Sequence, residues 1–295
     1  SLNINDSSYL EKSTELNILL PVKEDIAIIG LSGEYPGAQN VDDFWENLKK
    51  GVDSVTEIPQ DRWDLEGFYN EEKGKIGKSY SKWGGFIDDI DKFDPLFFNI
   101  SPREAKIMNP QERRFLQVVW ETIEDAGYTR DAFEKQAQME VGVYVGVMYE
   151  EYNSFRIEDM LKSNSKVMWG IQSSIANRVS YFFNFKGPSM AIDTMCSSSL
   201  TALHLACESI QNNNCKLAIA GGVNVSTHPN KYLMLSQAGF LSDKGKCESF
   251  GDGGNGYVPS EGVGAVLLKS LSKAEADGDR IYAIIKGSSI NHGGK

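Results

Sequence analysis

PSMAIDTMCSSSLTALHLA, residues 188–206, is a short apolar run that passes through a cysteine and three serines into an amphipathic pattern. Leu200, Leu203, Cys207 and Ile210 recur at helical spacing, which predicts a helix of roughly 15 residues starting at or beside Cys196. The run PSMAI ahead of it reads as a strand. A strand that turns directly into a helix points the first helical side chain and the unpaired N–H groups into one space. The partial positive charge of a helix start stabilises an anion, a thiolate included. Its N–H groups suit the oxygen that becomes negative when a thioester carbonyl is attacked. Cys196 is therefore a candidate nucleophile; the alternative is a buried structural cysteine. Ser197, Ser198 and Ser199 are small enough for such a turn, and their hydroxyls are available to cap it.

The other thiols offer less. Cys207 falls on the apolar face of the same helix, Cys215 follows the turn NNN, and Cys247 lies in the loop SDKGKCESF without an obvious base. The spacing of the four cysteines fits no C-x-x-C zinc or redox motif, and four in 295 residues is sparse for a disulfide scaffold. A cysteine enzyme usually recruits a histidine, and there are three. His204 lies on the same helix as Cys196, about 12 Å along its axis at 1.5 Å per residue. That separation is too long for proton transfer and reads as a satisfied side chain at the edge of the core. His228 precedes Pro229 in a turn, and His292 belongs to the last residues, NHGGK.

The composition, 41% hydrophobic with a formal net charge of −11, describes a globular chain with a sizeable core. It argues against a nucleic-acid partner, which needs a basic footprint, and against an acidic membrane surface. No apolar run approaches the roughly 18 residues that span a membrane. The start, SLNINDSSYL, lacks the basic and apolar parts of a signal peptide. A cytoplasmic location is the expectation.

Along the chain, residues 1–22 are polar around one apolar knot (Ile18, Leu19, Leu20) and read as a linker, with the folded domain over 23–295. DIAIIGLSG reads as a buried strand, and VDDFWENLKKG as a capped helix stopped by Gly51. Residues 52–100 are irregular and aromatic-rich. SPRE (101–104) and NPQE (109–112) are helix starts, each with Ser or Asn at the N-cap, Pro at the first helical position and Glu at the third. The second helix carries Phe115, Val119 and Ile123 on one face and stops at Gly127. VGVYVGV, KLAIAGGVNV, VGAVLLKS and IYAIIKGSSI (281–290) read as buried strands, and IANRVSYFFNF as a helix. Apolar strands alternating with helices predict α/β layers, with a sheet covered on both faces. The glycines at 251, 253, 254 and 256 lack the lysine of a phosphate loop and sit outside a βαβ start, so an active-site loop or a plain turn is the better reading.

DTMCSSSLTALHLA (193–206) resembles the active-site motif of β-ketoacyl synthases, in the form used by modular polyketide synthases. Further matches run in the family's order: DIAIIGLSGEYPGA, VDDFWENL, FDPLFFNISPREAKIMNPQERRFLQVVWETIEDAG, IANRVSYFFNFKGPSMAIDT, AIAGGVNV, LSQAGFLS and NGYVPSEGVGAVLL. Met195, where many relatives carry alanine, together with VGVMYEEY, resembles the branch whose acyltransferase is a separate protein. Gly251 departs from the Asp that relatives often carry there.

The resemblance implies a thiolase-like fold of five layers, α-β-α-β-α, made of two similar halves, of which this chain supplies mainly the first. It implies that Cys196 takes an acyl group from the phosphopantetheine arm of an acyl carrier protein, its own N–H helping to hold the oxyanion. A malonyl thioester on a second carrier protein is then decarboxylated and condensed with the acyl group. Met195 would line the acyl pocket, with core packing as the alternative. No metal and no bound cofactor are implied, and a homodimer is expected. The family's two catalytic histidines, one in an H-G-T-G-T run, lie in the second half, and neither motif occurs in these residues. The competing readings are a ketosynthase-like module that only binds or transfers acyl chains and, more remotely, a cysteine hydrolase. The flanks Thr194 and Ser198 do not form the G-x-S-x-G elbow of hydrolases.

Overall fold

A computed structural model of the chain describes residues 23–155 and 171–295. The linker expected over 1–22 lies outside the described residues. One six-stranded sheet organises the rest. Its strands are β1 (Ile26–Glu34), β4 (Val141–Gly146), β5 (Ser189–Ile192), β6 (Leu217–Asn224), β7 (Gly262–Ser270) and β8 (Ala283–Ile285), in the order β5-β4-β6-β7-β1-β8. The sheet is mixed. β4 runs parallel to β5 and β6, with Val143 opposite Ile219, whereas β7 is antiparallel to both β6 and β1. Two short strands, β2 (Val55–Glu57) and β3 (Trp83–Gly85), form a separate hairpin-like pair within the irregular region.

Side chains alternate across a strand, and each face gathers its own core. Val143, Val145, Ile219, Leu267 and Ile29 face one way, against helix α4 (Pro110–Asp125) and helix α6 (Gln172–Phe183). Phe115, Val119 and Ile123 of α4 are buried there, as their spacing predicts. Tyr144, Ala218, Ala220 and Leu268 face the other way, against α7 (Ser198–Gln211) through Ala202, Ala206, Cys207 and Ile210. The remaining helices are α1 (Val41–Lys50), α2 (Leu65–Phe68), α3 (Pro102–Ala105), α5 (Arg130–Ala137), α8 (Asn230–Gln237) and α9 (Leu271–Asp277).

The helix starts follow local chemistry. Asn109 caps α4 by accepting from the Gln111 N–H, with Pro110 at the first position, and Ser101 accepts from the Glu104 N–H at α3. Gly51 ends α1 at φ 63°, in the left-handed region where the absence of a Cβ matters most.

One expectation needs correction. Residues 281–290 are not a buried strand: only Ala283–Ile285 pair, at the sheet edge against β1 alone, and Ile284 is exposed. The sheet carries helices on both faces, as expected, and the face under α7 leaves Leu200, Met190 and Ile290 exposed. Apolar periodicity reports which face a residue takes, not whether a second layer covers it.

A buried polar device fixes the start of α8. The Glu151 carboxylate accepts the Thr227 N–H at 3.2 Å and the Lys231 N–H at 3.1 Å. Burial outweighs those bonds and the nearby Lys231 charge, and pushes the Glu151 carboxyl up to about 7. The folded state therefore holds this proton more tightly than the unfolded chain. The stability so gained is full below the ordinary carboxylate range and is lost as pH rises through about 7. The parent is expected to melt lower at about pH 8 than at about pH 5, and Glu151→Gln, which cannot ionise but offers one acceptor oxygen in place of two, is expected to lose that part of the pH dependence. Thermal melts at both pH values check this; an equal difference at both would contradict it.

Candidate active site

β5 ends at Ile192, three residues separate it from the cysteine, and α7 begins two positions beyond Cys196. Ser197 is the N-cap of α7, so Cys196 stands just ahead of the helix, at the junction the spacing predicts. Its side chain is exposed, which excludes the buried structural cysteine as its state in this fold.

The turn is held from behind. Met195 adopts φ 59°, a left-handed conformation that costs a non-glycine residue about 1 kcal/mol or more. The Asp193 carboxylate accepts the Met195 N–H at 2.9 Å. The Ser198 hydroxyl accepts the Thr194 N–H at 2.9 Å and donates to the Met195 carbonyl at 2.6 Å. The Ser197 hydroxyl donates to the Thr194 carbonyl at 2.9 Å, and the Thr194 and Thr201 hydroxyls lie 3.0 Å apart. The serines thus tie the turn backward; Ser197 makes no side-chain cap to the helix, contrary to expectation.

Beneath the turn lie two glycines in register, Gly146 of β4 and Gly222 of β6. A Cβ at Gly146 would stand 2.5 Å from the Ser199 nitrogen and 2.6 Å from the Ser198 carbonyl carbon, both backbone atoms of the first turn of α7. The helix start can approach the sheet only because that Cβ is missing. Gly146→Ala is expected to cost about 1–3 kcal/mol and, by displacing the start of α7, to slow reaction of Cys196 with iodoacetamide or a thioester more than tenfold. A stability loss with unchanged Cys196 reactivity would show that the turn moves independently of this contact.

Cys196 opens into a groove of about 890 Å³. Met195, Leu200, Leu203 and Met148 line it with apolar surface, and Tyr149, Tyr257, Lys231, Asn224 and Glu261 add polar groups. Met195 is 64% exposed, so it is a wall of the groove and not part of the core. Burial first, and then the charges of Cys196, Glu151 and Asp193, raises the Tyr149 phenol. Burial first, and then Tyr149, Cys196 and Cys247, pushes Tyr257 up to about 12. Both phenols therefore keep their protons at neutral pH.

The remaining thiols are elsewhere. Cys207 and Cys215 are buried. Cys247 is exposed but lines a separate groove of about 480 Å³ with Phe44, Val52 and Val258, and its sulfur accepts the Val258 N–H. The histidines are likewise placed apart. His204 is 8% exposed, its Nδ1 2.8 Å from the Ser288 hydroxyl and its Nε2 3.5 Å from Glu208, a satisfied side chain as expected. The His228 ring packs edge-on against Phe155 at 5.0 Å, and His292 Nδ1 accepts the Gly294 N–H. None of the three lines the Cys196 groove. Among the described residues, no cluster of three or more His, Cys, Asp or Glu is arranged to hold a metal.

Tyr149, Tyr257 and Lys231 were not legible as site residues. Their only signal is position: Tyr149 follows the apolar strand β4, and Tyr257 follows the glycine-rich loop.

The chain is thus a mixed sheet with helices on both faces, carrying an exposed thiol at a strand-to-helix junction above a groove. Residues 23–274 match the family model "Beta-ketoacyl synthase, N-terminal domain", and the chain belongs to that family. It is 65% identical over 276 residues to polyketide synthase PksL of Bacillus subtilis (strain 168), which covers 92% of this chain and 6% of PksL. It is 57% identical over 270 residues to polyketide synthase ThaG of Burkholderia thailandensis, covering 92% of this chain and 5% of ThaG. Among solved structures, the oxazolomycin ketosynthase domain OzmH KS7 of Streptomyces albus JA3453 superposes with a TM-score of 0.89 at 53% identity, over 92% of this chain and 46% of that one. The ketosynthase from module 6 of the bacillaene synthase of Bacillus subtilis 168 gives 0.82 at 43% identity, over 92% of this chain and 44% of its own. The chain thus spans under half the length of these solved ketosynthases and corresponds to the N-terminal half of their thiolase-like fold.

Proposed function

We propose that this chain is the nucleophile-bearing part of a chain-elongating ketosynthase of a modular polyketide synthase, an acyltransferase acting on carrier-protein thioesters. The observation that carries this reading is the exposed Cys196, alone among the four thiols in lining the 890 Å³ groove. The Cys196 thiolate attacks the thioester carbonyl of an acyl chain on the phosphopantetheine arm of an acyl carrier protein. The tetrahedral oxyanion is held by N–H groups at the start of α7, that of Cys196 included. It collapses by expelling the pantetheine thiolate, which leaves the acyl group on sulfur. A malonyl thioester on a carrier protein then loses CO2. The resulting carbanion attacks the acyl carbonyl, forms the carbon–carbon bond and returns the Cys196 thiolate. Met195 borders the acyl chain. No metal or bound cofactor takes part.

The further features of this reading are a homodimer, a cytoplasmic location, an acyltransferase supplied as a separate protein, and a product of the antibiotic class. Support for the separate acyltransferase is Met195 beside the nucleophile and the run VGVMYEEY.

A second reading is acyl transfer without condensation, which the exposed thiol and its groove serve equally well. Decarboxylative condensation needs donors that stabilise the enolate, and His204 is already engaged by Ser288 and Glu208. The test is to extend the chain to the length of the solved ketosynthases and supply acyl and malonyl carrier proteins. A β-ketoacyl carrier protein is the expected product. Acylated Cys196 without that product supports transfer alone, and no acylation at Cys196 refutes both readings.

A further inference from the structure

The wall of the Cys196 groove is apolar at Met148, Met195, Leu200 and Leu203, and against it stand two phenols, Tyr149 and Tyr257. Neither phenol oxygen makes a hydrogen bond among the described residues. Tyr80, Tyr128 and Tyr232 show what a sheltered tyrosine does here: each hydroxyl bonds a neighbour, at Leu241, Asp279 and Trp83 respectively. Tyr257 is 41% exposed, so water pairs these hydroxyls in the open groove, and an acyl chain that displaces that water leaves each needing an acceptor. In a groove that holds a nucleophile, the missing acceptor belongs to the ligand.

Both phenols are rigidly presented. The Tyr149 carbonyl accepts from Gln111 Nε2 at 2.7 Å, and Gln111 Oε1 accepts the Val225 N–H at 3.1 Å, which clamps the end of β4 to the end of β6 through α4. Tyr257 donates its N–H to the Phe240 carbonyl and accepts from Ser242 N–H, each at 2.9 Å. The Lys231 ammonium lies 4.7 Å over the Tyr149 ring and is itself bonded to Asn224 Oδ1 at 3.0 Å and Ser226 Oγ at 3.2 Å.

Resting on the ketosynthase reading, we propose that Tyr149 and Tyr257 determine chain specificity: their hydroxyls donate to an oxygen carried on the acyl chain within the first few carbons of the thioester. Cys196 then takes 3-oxygenated chains ahead of saturated ones. Both phenols remain protonated at neutral pH, so both act as donors to a hydroxyl or keto oxygen. A site built to bond a substrate oxygen discriminates against the analogue that lacks it, because its donors are then left dry and unpaired.

The experiment uses the chain extended to the length of the solved ketosynthases. Intact mass spectrometry follows the rate of Cys196 acylation by 3-hydroxybutyryl-, 3-oxobutyryl- and butyryl-pantetheine. The expected result is a preference of about tenfold or more for the oxygenated chains, the scale of two neutral hydrogen bonds. Tyr149→Phe and Tyr257→Phe should each lower the oxygenated rates severalfold and leave the butyryl rate unchanged. Equal rates for the three probes in the parent, or a preference that survives both substitutions, would overturn the proposal. So would an equal fall in all three rates, which would assign the rings to packing. No acylation by any probe would instead sink the ketosynthase reading, and this inference with it.

Discussion

Replacement of Cys196 by alanine is expected to abolish covalent acylation by a thioester, a loss of four orders of magnitude or more on the scale of nucleophile deletions (about 10⁶), with little change in melting temperature. The side chain is exposed, and no packing depends on it. The other thiols cannot take over. Burial pushes Cys207 up to about 11 and also raises Cys215, so neither presents a thiolate at neutral pH, and neither is reachable. Cys247 faces a different groove. Peptide mapping after incubation with an acyl-pantetheine thioester reads the result. An adduct that persists in Cys196→Ala, or that maps to Cys247 in the parent, would remove the basis of the functional assignment.

The largest expected effect on stability lies at Glu261, whose side chain is 1% exposed. Its carboxylate meets Arg62 in a two-point pair, 3.0 Å to Nη2 and 3.2 Å to Nε, and also accepts the N–H groups of Ile87 and Ser226 at 2.9 Å. Glu261→Ala leaves a guanidinium that is 4% exposed without its counter-charge, and strands two backbone donors. Asp61, the other carboxylate near Arg62, is 73% exposed and too well solvated to compensate. Breaking one side of such a pair costs about 3–5 kcal/mol. At roughly 2–4 °C per kcal/mol for a domain of this size, the melting temperature should fall by about 6–20 °C. The double variant Arg62→Met, Glu261→Leu should recover much of that loss, since apolar replacement of both partners avoids the stranded charge. A single variant that melts within about 2 °C of the parent would mean that water reaches Arg62.

This ion pair shows what local patterns do not carry. Arg62 and Glu261 are separated by 199 positions, and each reads locally as an ordinary surface charge. The run QERR at the start of α4 is equally deceptive. All four side chains are buried: Gln111 holds Tyr149 and Val225, Glu112 holds Arg178, and Arg114 holds the Asp88 carbonyl.

What the sequence by itself determined is local. Helical spacing after residue 196 and an apolar run before it place Cys196 at a strand-to-helix junction, because the periods 3.6 and 2 are properties of the backbone. Caps at Asn109 and Ser101, the stop at Gly51, and the strands β1, β4, β6 and β7 follow from the same short-range rules. The resemblance to β-ketoacyl synthases rests on motifs of the same local kind. Tertiary structure alone decided which strands are neighbours, and so the mixed order β5-β4-β6-β7-β1-β8. It alone left β8 at an open edge and set Gly146 and Gly222 side by side beneath the turn. It also brought Tyr149 and Tyr257, more than a hundred residues apart, to one groove. Periodicity names a face but not the partner across it, and burial of a polar side chain is decided by acceptors that the chain supplies from far away.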